Sequence, residues 1–342
     1  MRPGGRRWYD SPVRLVVTGS AGHLGEALVR VLRAEGHGVL GLDLLPSPTT
    51  DVVADVADRA ALRDALRGAD GVLHTATLHK PHVASHPREA FVRTNVQGTL
   101  AVVEEAAGAG VGRVVVTSTT SAYGRALSPA PGEPAAWVDE DVVPVPRNVY
   151  GATKVAAEDL CEVVHRETGL PVLVLRTSRF FPEGDDVAEQ RAAYDDANLK
   201  ANELLHRRVD LEDVVAAHRC ALERAPALRW GRYVVSAPTP FTRGDAAELR
   251  RDAAAVVRRL FPGVDAVYGP RGWRLPPSLD RVYDSTRARR DLGWAPRWTF
   301  GHALAALAAG GEARSALAAS VGTKGYHDRP TGPCTAAGRA PR

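Results

Sequence analysis

Apolar residues near the start of this chain form two short runs separated by a stretch of helical periodicity. The first run covers 13–18, and apolar positions then recur at three- and four-residue spacing between Leu24 and Leu32. A second run at 39–42 ends at Asp43. A strand, a helix and a strand within about 30 residues predict one unit of a parallel sheet.

The same alternation continues along most of the chain. It predicts strands at 72–74, 113–117, 172–175 and 233–235, and helices at 91–107, 149–167 and 211–224. The strands are continuously apolar, which is typical of a sheet covered by helices on both faces. We therefore predict an α/β fold with a doubly wound parallel sheet of the Rossmann type.

Segments that break the alternation indicate the domain organisation. Residues 125–148 and 177–206 are polar or proline-rich and follow strands, at the edge where such sheets bind ligands. Residues 236–300 are less regular, and the last residues are rich in Gly, Ala, Ser, Pro and Arg. We predict the following parts: a flexible N-terminus at 1–10, the main α/β domain at 11–176 and 207–235, a small discontinuous substrate-binding lobe at 177–206 and 236–311, and a poorly ordered tail at 312–342.

Composition narrows the class of protein. The 342 residues are 44% hydrophobic and 25% charged, enough for a large core plus a smaller lobe. The net charge of +4 is spread over isolated basic pairs, which argues against a nucleic-acid partner. No stretch approaches the ~18 apolar residues of a membrane helix, and no secretory signal is recognisable. Three separated cysteines, Cys161, Cys220 and Cys334, fit no disulfide framework, so we expect a cytoplasmic protein without a membrane partner.

A glycine pattern joins the first strand to the first helix. Gly19, Gly22 and Gly25 would let the backbone turn tightly and approach a pyrophosphate at the helix N-terminus, where His23 and Leu24 also lie. Asp43 ends the second strand, where a carboxylate can accept both ribose hydroxyls and would repel a 2′-phosphate. The neighbouring Leu44 and Leu45 offer no compensating arginine. These residues predict a dinucleotide site that prefers NAD to NADP.

A tyrosine and a lysine are spaced for joint chemistry. Tyr150 and Lys154 are four residues apart on a predicted helix and therefore share a face. A nearby ammonium lowers the pKa of a phenol, so the tyrosine could exchange a proton with a substrate oxygen. The preceding strand runs into a hydroxyl cluster at 117–121, which could hydrogen-bond the same oxygen.

Taken together, these motifs resemble the extended short-chain dehydrogenase/reductases, the NAD-dependent epimerase/dehydratase group. The resemblance spans about 13–308. It is carried by the segments 18–25, 55–56, 95–99, 117–124, 150–154 and 291–296, and by Asp43.

The resemblance implies further roles. Additional NAD-binding positions would be Asp55, Val56, Thr75, Ala76, Thr77, Asn95, Thr117, Thr177 and Ser178. The catalytic residues would be Thr119 as the hydroxyl, Tyr150 as the acid/base and Lys154, which would also bind the nicotinamide ribose. It also implies a homodimer formed through the helices at 91–107 and 149–167.

The chain departs from sugar-nucleotide members of that family next to the predicted substrate. Arg179 stands where an asparagine is common, and the insert at 183–206 is short and acidic, with Asp185 and Asp186. Arg179 and Arg271 are the candidate substrate residues, and with Arg207 and Arg208 they could clamp an anion. Alternatively, these arginines pair with the nearby carboxylates. The residues His74, His79, His82 and His86 have no metal-site spacing, so we expect no metal.

Three functions remain open at this stage. The first is epimerase/dehydratase-type oxidoreduction at a hydroxyl or carbonyl carbon of a sugar, a sugar nucleotide or a sugar-like substrate, with NAD retained. Dehydration is disfavoured, because Thr120 and Ser121 replace the Asp-Glu pair of dehydratases. The second is a dehydrogenase or reductase of a small alcohol or ketone with exchanging NAD. The third is a non-catalytic NAD-binding regulator, which would be expected to lack Tyr150 or Lys154.

Overall fold

A computed structural model describes residues 12–185 and 187–324, and Asp186, Cys334 and the predicted flexible N-terminus at 1–10 lie outside this range. The strands are β1 Arg14–Thr18, β2 Gly38–Asp43, β3 Val52–Val53, β4 Gly71–His74, β5 Val114–Thr119, β6 Ala136–Val138, β7 Val172–Thr177, β8 Trp230–Val235 and β9 Arg281–Tyr283. Seven of them form one sheet in the order β3-β2-β1-β4-β5-β7-β8. The pairs β2–β3, β1–β2, β1–β4 and β4–β5 run parallel.

Helices connect these strands. They are α1 His23–Ala34, α2 Arg59–Leu66, α3 Arg88–Phe91, α4 Gly98–Gly108, α5 Val149–Thr168, α6 Ala188–Ala193, α7 Asp196–Glu203, α8 Leu211–Leu228, α9 Ala246–Leu260, α10 Val264–Tyr268, α11 Thr286–Leu292, α12 Phe300–Ala308 and α13 Ala316–Val321. The strand order steps outward from β1 to β3 and then from β4 to β8, so the predicted doubly wound fold is confirmed. Across 12–185 and 187–324, none of the helices combines the length and apolar character needed to cross a membrane.

The apolar strands form the centre of the core. All residues of β4 and β7 are buried, as are four of the five in β1. Valines of the sheet, such as Val72 and Val114, pack with Leu62 of α2 and Val102 of α4 in one cluster. Continuous apolar strands are thus buried because helices cover them, which is the physical basis on which the fold was predicted.

The register of the sheet places the carboxyl ends of β1, β2 and β4 side by side. Thr18 of β1 is level with Leu42 of β2 and with His74 of β4. The residues after these strands therefore emerge at one edge of the sheet. In such sheets this carboxyl edge is where ligands bind.

Several elements differ from the predictions. The helix predicted at 91–107 begins at Arg88 and contains a π-helical stretch, Val92–Gln97, between α3 and α4. The region 236–300 is more regular than expected, since it holds α9, α10 and α11. Helix α2 was missed although Asp58 caps it, accepting from the N–H groups of Ala60 and Ala61.

The chain divides into two compact units. Among the described residues, the first contains 12–118, 152–175 and 215–232, and the second contains 119–151, 176–185, 187–214 and 233–324. The predicted main domain had included 119–151, which belongs to the second unit because β6 in this segment pairs with β9.

The tail predicted at 312–342 also differs from the prediction in the residues that the structure describes, 312–324. Residues 312–324 contain α13, whose N-cap Ser315 accepts from the N–H of Ala318. The Ser315 N–H donates to the Asp210 carboxylate at 2.9 Å, and the Lys324 N–H donates to Glu183 at 2.9 Å. The prediction of a poorly ordered segment is therefore wrong for 312–324.

Candidate functional site

The glycine turn after β1 forms a cradle that excludes side chains. Gly19 has a φ of +74°, and a Cβ there would lie 2.5 Å from the Ala76 nitrogen. A Cβ at Gly25 would lie 1.9 Å from the Gly19 carbonyl oxygen. Gly22 caps α1, and His23 and Leu24 are buried in its first turn. The turn therefore keeps backbone close to the helix N-terminus, the arrangement that receives a pyrophosphate.

Asp43 is tied to this turn. Its carboxylate accepts from the Ala21 N–H at 3.0 Å and from the Leu45 N–H at 2.9 Å. Burial raises the pKa of Asp43, while these backbone hydrogen bonds lower it. The carboxylate thus lies beside the glycine turn, where it can accept ribose hydroxyls and where a 2′-phosphate would be repelled.

The residues after β4 form the second wall of the cradle. The Thr75 hydroxyl donates to the Thr18 carbonyl at 2.8 Å, and Ala76 is the residue that approaches Gly19. The Thr77 hydroxyl donates to Asn95 Oδ1 at 3.0 Å. The predicted cofactor residues Thr75 and Ala76 are therefore held against the glycine turn, and Thr77 is held by Asn95.

Asn95 holds this wall from within the protein. Its amide exchanges hydrogen bonds with Leu78, accepting from the N–H and donating to the carbonyl, both at 2.9 Å. It also donates to Thr153 at 3.1 Å. Asn95 is completely buried in the π-helical stretch, a feature often found at functional sites. The structure gives this residue a positioning role.

Asp55 and Val56 follow β3. The Asp55 carboxylate accepts from the Ala57 N–H at 2.9 Å and pairs with Arg93 at 2.9 Å. Val56 is buried, and its Cγ1 would be 2.5 Å from a Cβ on Gly98. These predicted adenine residues are thus fixed by neighbouring protein groups.

Lys154 is buried beside the end of β5. Its Nζ donates to the Thr117 carbonyl at 2.8 Å, and the Thr117 hydroxyl bonds with His218 Nε2 at 2.8 Å. Burial lowers the pKa of Lys154 to about 8, while the nearby Glu158 and Cys161 raise it. The ammonium is therefore positioned against β5, and it is protonated at neutral pH by a margin of only about one pH unit.

Tyr150 and Thr119 lie together in the second unit. Burial raises the pKa of Tyr150 to about 12, and a hydrogen bond with the Thr119 side chain opposes this rise. Thr119 Oγ1 accepts from the Ser121 N–H at 3.0 Å, which leaves its own proton to be donated to Tyr150. The predicted lowering of the phenol's pKa is wrong for the protein alone, because burial dominates.

Thr177 ends β7, the neighbour of β5 in the sheet, and Ser178 directly follows it. The Ser178 N–H donates to the Val235 carbonyl at 2.8 Å. Its hydroxyl oxygen is buried and has no hydrogen-bond partner within the part of the chain that the structure describes. An unsatisfied buried hydroxyl is costly, so it indicates a bound group. Within the first unit, the glycine cradle that a Cβ would fill fits the pyrophosphate of NAD.

The candidate substrate residue Arg179 lies in a charged network. Arg179 contacts Asp185 and lies 3.2 Å from Glu203, and Arg207 lies 2.9 Å from Glu203. Arg208 contacts the other oxygen of Glu203 at 3.0 Å. Burial would raise the pKa of Glu203, but the three arginines hold it at about 2. The pairing alternative is therefore the one that the structure adopts.

Arg271, the other candidate substrate residue, serves two helix ends. Its guanidinium donates to the carbonyl oxygens of Val267 in α10 and Leu307 in α12, at 2.7 and 2.6 Å. These bonds satisfy carbonyls that a helix leaves unpaired at its C-terminus. The structure thus gives Arg271 a structural role.

The histidines of 74–86 bond with the protein. His74 lies between the hydroxyls of Thr18 and Thr99, at 2.7 and 2.9 Å, and burial lowers its pKa to about 3. His79 and His82 stack edge to face with ring centroids 4.4 Å apart. Among the described residues, no three His, Cys, Asp or Glu side chains are grouped to hold a metal ion.

One buried charged residue was missed by sequence reasoning. Glu158 is buried on α5, one turn after Lys154, and accepts a short hydrogen bond from the Ser118 hydroxyl. The signal available in the sequence was its spacing of four from Lys154, because residues four apart share a helix face.

Comparisons with known proteins show what this chain is similar to. The model of the NAD dependent epimerase/dehydratase family matches residues 15–235. UDP-glucose 4-epimerase of Streptomyces lividans is 26% identical over 316 residues, covering 83% of this chain and 91% of that protein. A 3-diazoavenalumate denitrifying reductase of a Streptomyces species is 29% identical over 324 residues, covering 83% and 96%. The solved structure of a short-chain dehydrogenase/reductase superfamily protein from Agrobacterium tumefaciens with bound NAD is 25% identical, with a TM-score of 0.61 over 86% of this chain and 96% of that one.

Proposed function

Since this chain belongs to the NAD-dependent epimerase/dehydratase family, we propose that it oxidises a hydroxyl-bearing carbon of a sugar or sugar-like substrate and then reduces it again. It is an NAD-dependent enzyme of the extended short-chain dehydrogenase/reductase type. In this proposal Tyr150 moves the proton of the substrate hydroxyl, and NAD remains bound through the cycle.

The observation that carries the proposal is the hydrogen bond between the buried Tyr150 and Thr119. Thr119 donates to the phenol oxygen and so favours the phenolate that a general base requires. Both residues belong to the second unit, where Thr119 ends β5. A substrate hydroxyl that binds at this end of the strand can hydrogen-bond to both side chains.

The remaining requirement is positive charge near the phenol. With a pKa of about 12, Tyr150 is a neutral phenol at physiological pH. Lys154 lies one turn further along α5, and a cation at that distance lowers the pKa of a phenol. We propose that Tyr150 becomes a base only when Lys154 is protonated, because the positive charge of the ammonium then favours the phenolate.

NAD⁺, when bound, accepts a hydride from the substrate carbon, and NADH can return it. The cradle of Gly19, Gly25 and Ala76 would hold the pyrophosphate, and Asp43 would hold the ribose. The buried Ser178 hydroxyl would bond with the nicotinamide amide.

A second candidate function follows from the charged network of Arg179, Arg207, Arg208, Asp185 and Glu203. The two carboxylates neutralise much of the positive charge of the arginines. Less positive charge therefore remains to bind a diphosphate. This favours a small alcohol or ketone as the substrate of a dehydrogenase that exchanges NAD at every turnover.

One experiment separates the two functions. Freshly purified protein is denatured, and the released NAD⁺ and NADH are quantified by chromatography. Near-stoichiometric NAD is the expected result and supports transient oxidation, so that screening starts with UDP-glucose and other epimerisable sugars. Empty protein that binds added NAD weakly would contradict retention and support the dehydrogenase.

A further inference from the structure

Two charged side chains are buried on consecutive turns of α5. Lys154 is 2% exposed and Glu158 is 1% exposed. Their spacing of four places them on the same face of the helix. Complete burial of a charge is costly unless other groups compensate it, so both residues must have compensating neighbours.

The carboxylate of Glu158 has a hydrogen-bond donor at one oxygen and a cation near the other. The Ser118 hydroxyl donates to Oε1, and the Nε of Arg232 lies 3.4 Å from Oε2. Arg232 is the more exposed partner and also contacts Asp159 and Glu162, at 2.8 and 3.0 Å. The carboxylate is therefore bonded to a residue of β5 and lies next to a cation of β8.

The bond with Ser118 links Glu158 to the position of Lys154. Ser118 directly follows Thr117, whose carbonyl accepts from the Lys154 ammonium at 2.8 Å. Two consecutive residues of β5 are thus bonded to two charged groups on consecutive turns of α5. This arrangement fixes the helix relative to the strand at the point where Lys154 acts.

The groups around Lys154 affect its pKa to different extents. Burial lowers its pKa to about 8, and Glu158 is the strongest group that opposes this, followed by Cys161 on the same helix. His74 of β4 also senses Lys154, but burial keeps that imidazole neutral. Arg232 of β8 adds a positive charge next to Glu158. Without Glu158, burial would act on the ammonium almost unopposed.

We propose that Glu158 is a positioning residue that keeps Lys154 protonated at neutral pH and anchors it to β5 through Ser118. The inference rests on the proposed function, because it affects the reaction only if Lys154 assists Tyr150 and NAD. Glu158 acts on the ammonium of Lys154, and it need not contact the substrate itself.

The test measures the titration of Lys154 directly. The chain has only four lysines, Lys80, Lys154, Lys200 and Lys324, so selective ¹³C labelling gives few NMR signals. Lys154→Met assigns the relevant one. In Glu158→Gln, which keeps the shape and an acceptor for Ser118, the pKa of Lys154 should fall by about 1 pH unit or more. In a turnover assay, the alkaline limb of the kcat profile should move to lower pH in parallel.

Glu162→Gln is the matched control. It makes the same substitution on the same helix and also removes a carboxylate from Arg232, yet it should leave the titration of Lys154 unchanged. An unaltered Lys154 titration in folded Glu158→Gln protein would overturn the proposal.

Ser118→Ala provides a second, independent variant should Glu158→Gln fail to fold. It removes the hydrogen bond to the Glu158 carboxylate and so disfavours its ionised form, and the pKa of Lys154 should fall. An unchanged value would refute the proposal. The titration requires no substrate, so this result and the activity of a Tyr150 variant are read separately.

Discussion

At the scale of single residues, the cofactor positions were more predictable than their electrostatics. Gly19 and Gly25 could be predicted because a turn that excludes a Cβ leaves glycine as a sequence signal. The pKa of Tyr150 could not, because it depends on burial by residues that are distant in sequence. The same limit applies to Arg179, whose pairing with Glu203 depends on how the insert folds.

Asp43 provides a prediction at this scale. Asp43→Asn removes the charge that would repel a 2′-phosphate and weakens a bond to ribose hydroxyls. NAD affinity should fall about tenfold while NADP affinity rises, since a hydrogen bond to a charged group contributes about 1.5–3 kcal/mol. Dissociation constants for both cofactors, measured calorimetrically on cofactor-free protein, check this.

The control for Asp43 is Asp64→Asn, an exposed carboxylate in the same unit whose direct ion pair with Arg67, at 2.8 Å, contributes little because both side chains face solvent. Its NAD-to-NADP preference should match that of the wild type. An Asp43→Asn protein with the wild-type preference would contradict the assignment of Asp43 to the ribose.

At the scale of elements, helices and strands could be predicted where their sequence pattern lies within one short segment of the chain. Helix α1 and strand β2 were predicted because periodicity and glycines lie within one short segment. Strands β6 and β9 were missed because each has three residues and they pair across a long stretch of sequence. The π-helical stretch could not be predicted either. It accompanies the burial of Asn95 and its bonds to Leu78 and Thr153, which lie elsewhere in the sequence.

Helix α8 carries a pH-dependent anchor. Asp213 accepts from the N–H groups of Arg297 and Trp298, both at 2.7 Å, and thereby holds the segment before α12. Burial raises its pKa to about 6, despite these hydrogen bonds. A folded-state pKa above the unfolded value means that its stabilising contribution is complete below about pH 4 and is lost as the pH rises through about 6.

The corresponding prediction concerns Asp213→Asn. From pH 4 to pH 7 the wild type should lose about 3 kcal/mol of unfolding free energy through this group, and the variant should not. Urea unfolding at four pH values, with the exposed-site variant Asp141→Asn as control, gives the difference. A gap between wild type and Asp213→Asn that does not change with pH would show that Asp213 is ionised normally.

At the scale of the whole molecule, the chain order explains the two-unit organisation. The first unit carries the glycine turn, Asp43 and Lys154, and the second carries Thr119, Tyr150 and Ser178. The division falls within β5, α5, β7, α8 and β8, and two of these elements, β5 and α5, contribute functional residues to both units. Sequence periodicity predicts these elements, and the segments 125–148, 177–206 and 236–300 that break it all fall in the second unit. It contains no signal that the boundaries lie inside single elements.

The central claim is that Tyr150 moves the substrate proton, and Tyr150→Phe tests it most directly. Hydride transfer, followed as NADH absorbance or as epimer formation with a substrate found by screening, should fall by about 10²-fold or more, while NAD binding stays unchanged. Tyr194→Phe, in the same unit, should retain full activity. Undiminished turnover in Tyr150→Phe would contradict the assignment of Tyr150 as the acid/base.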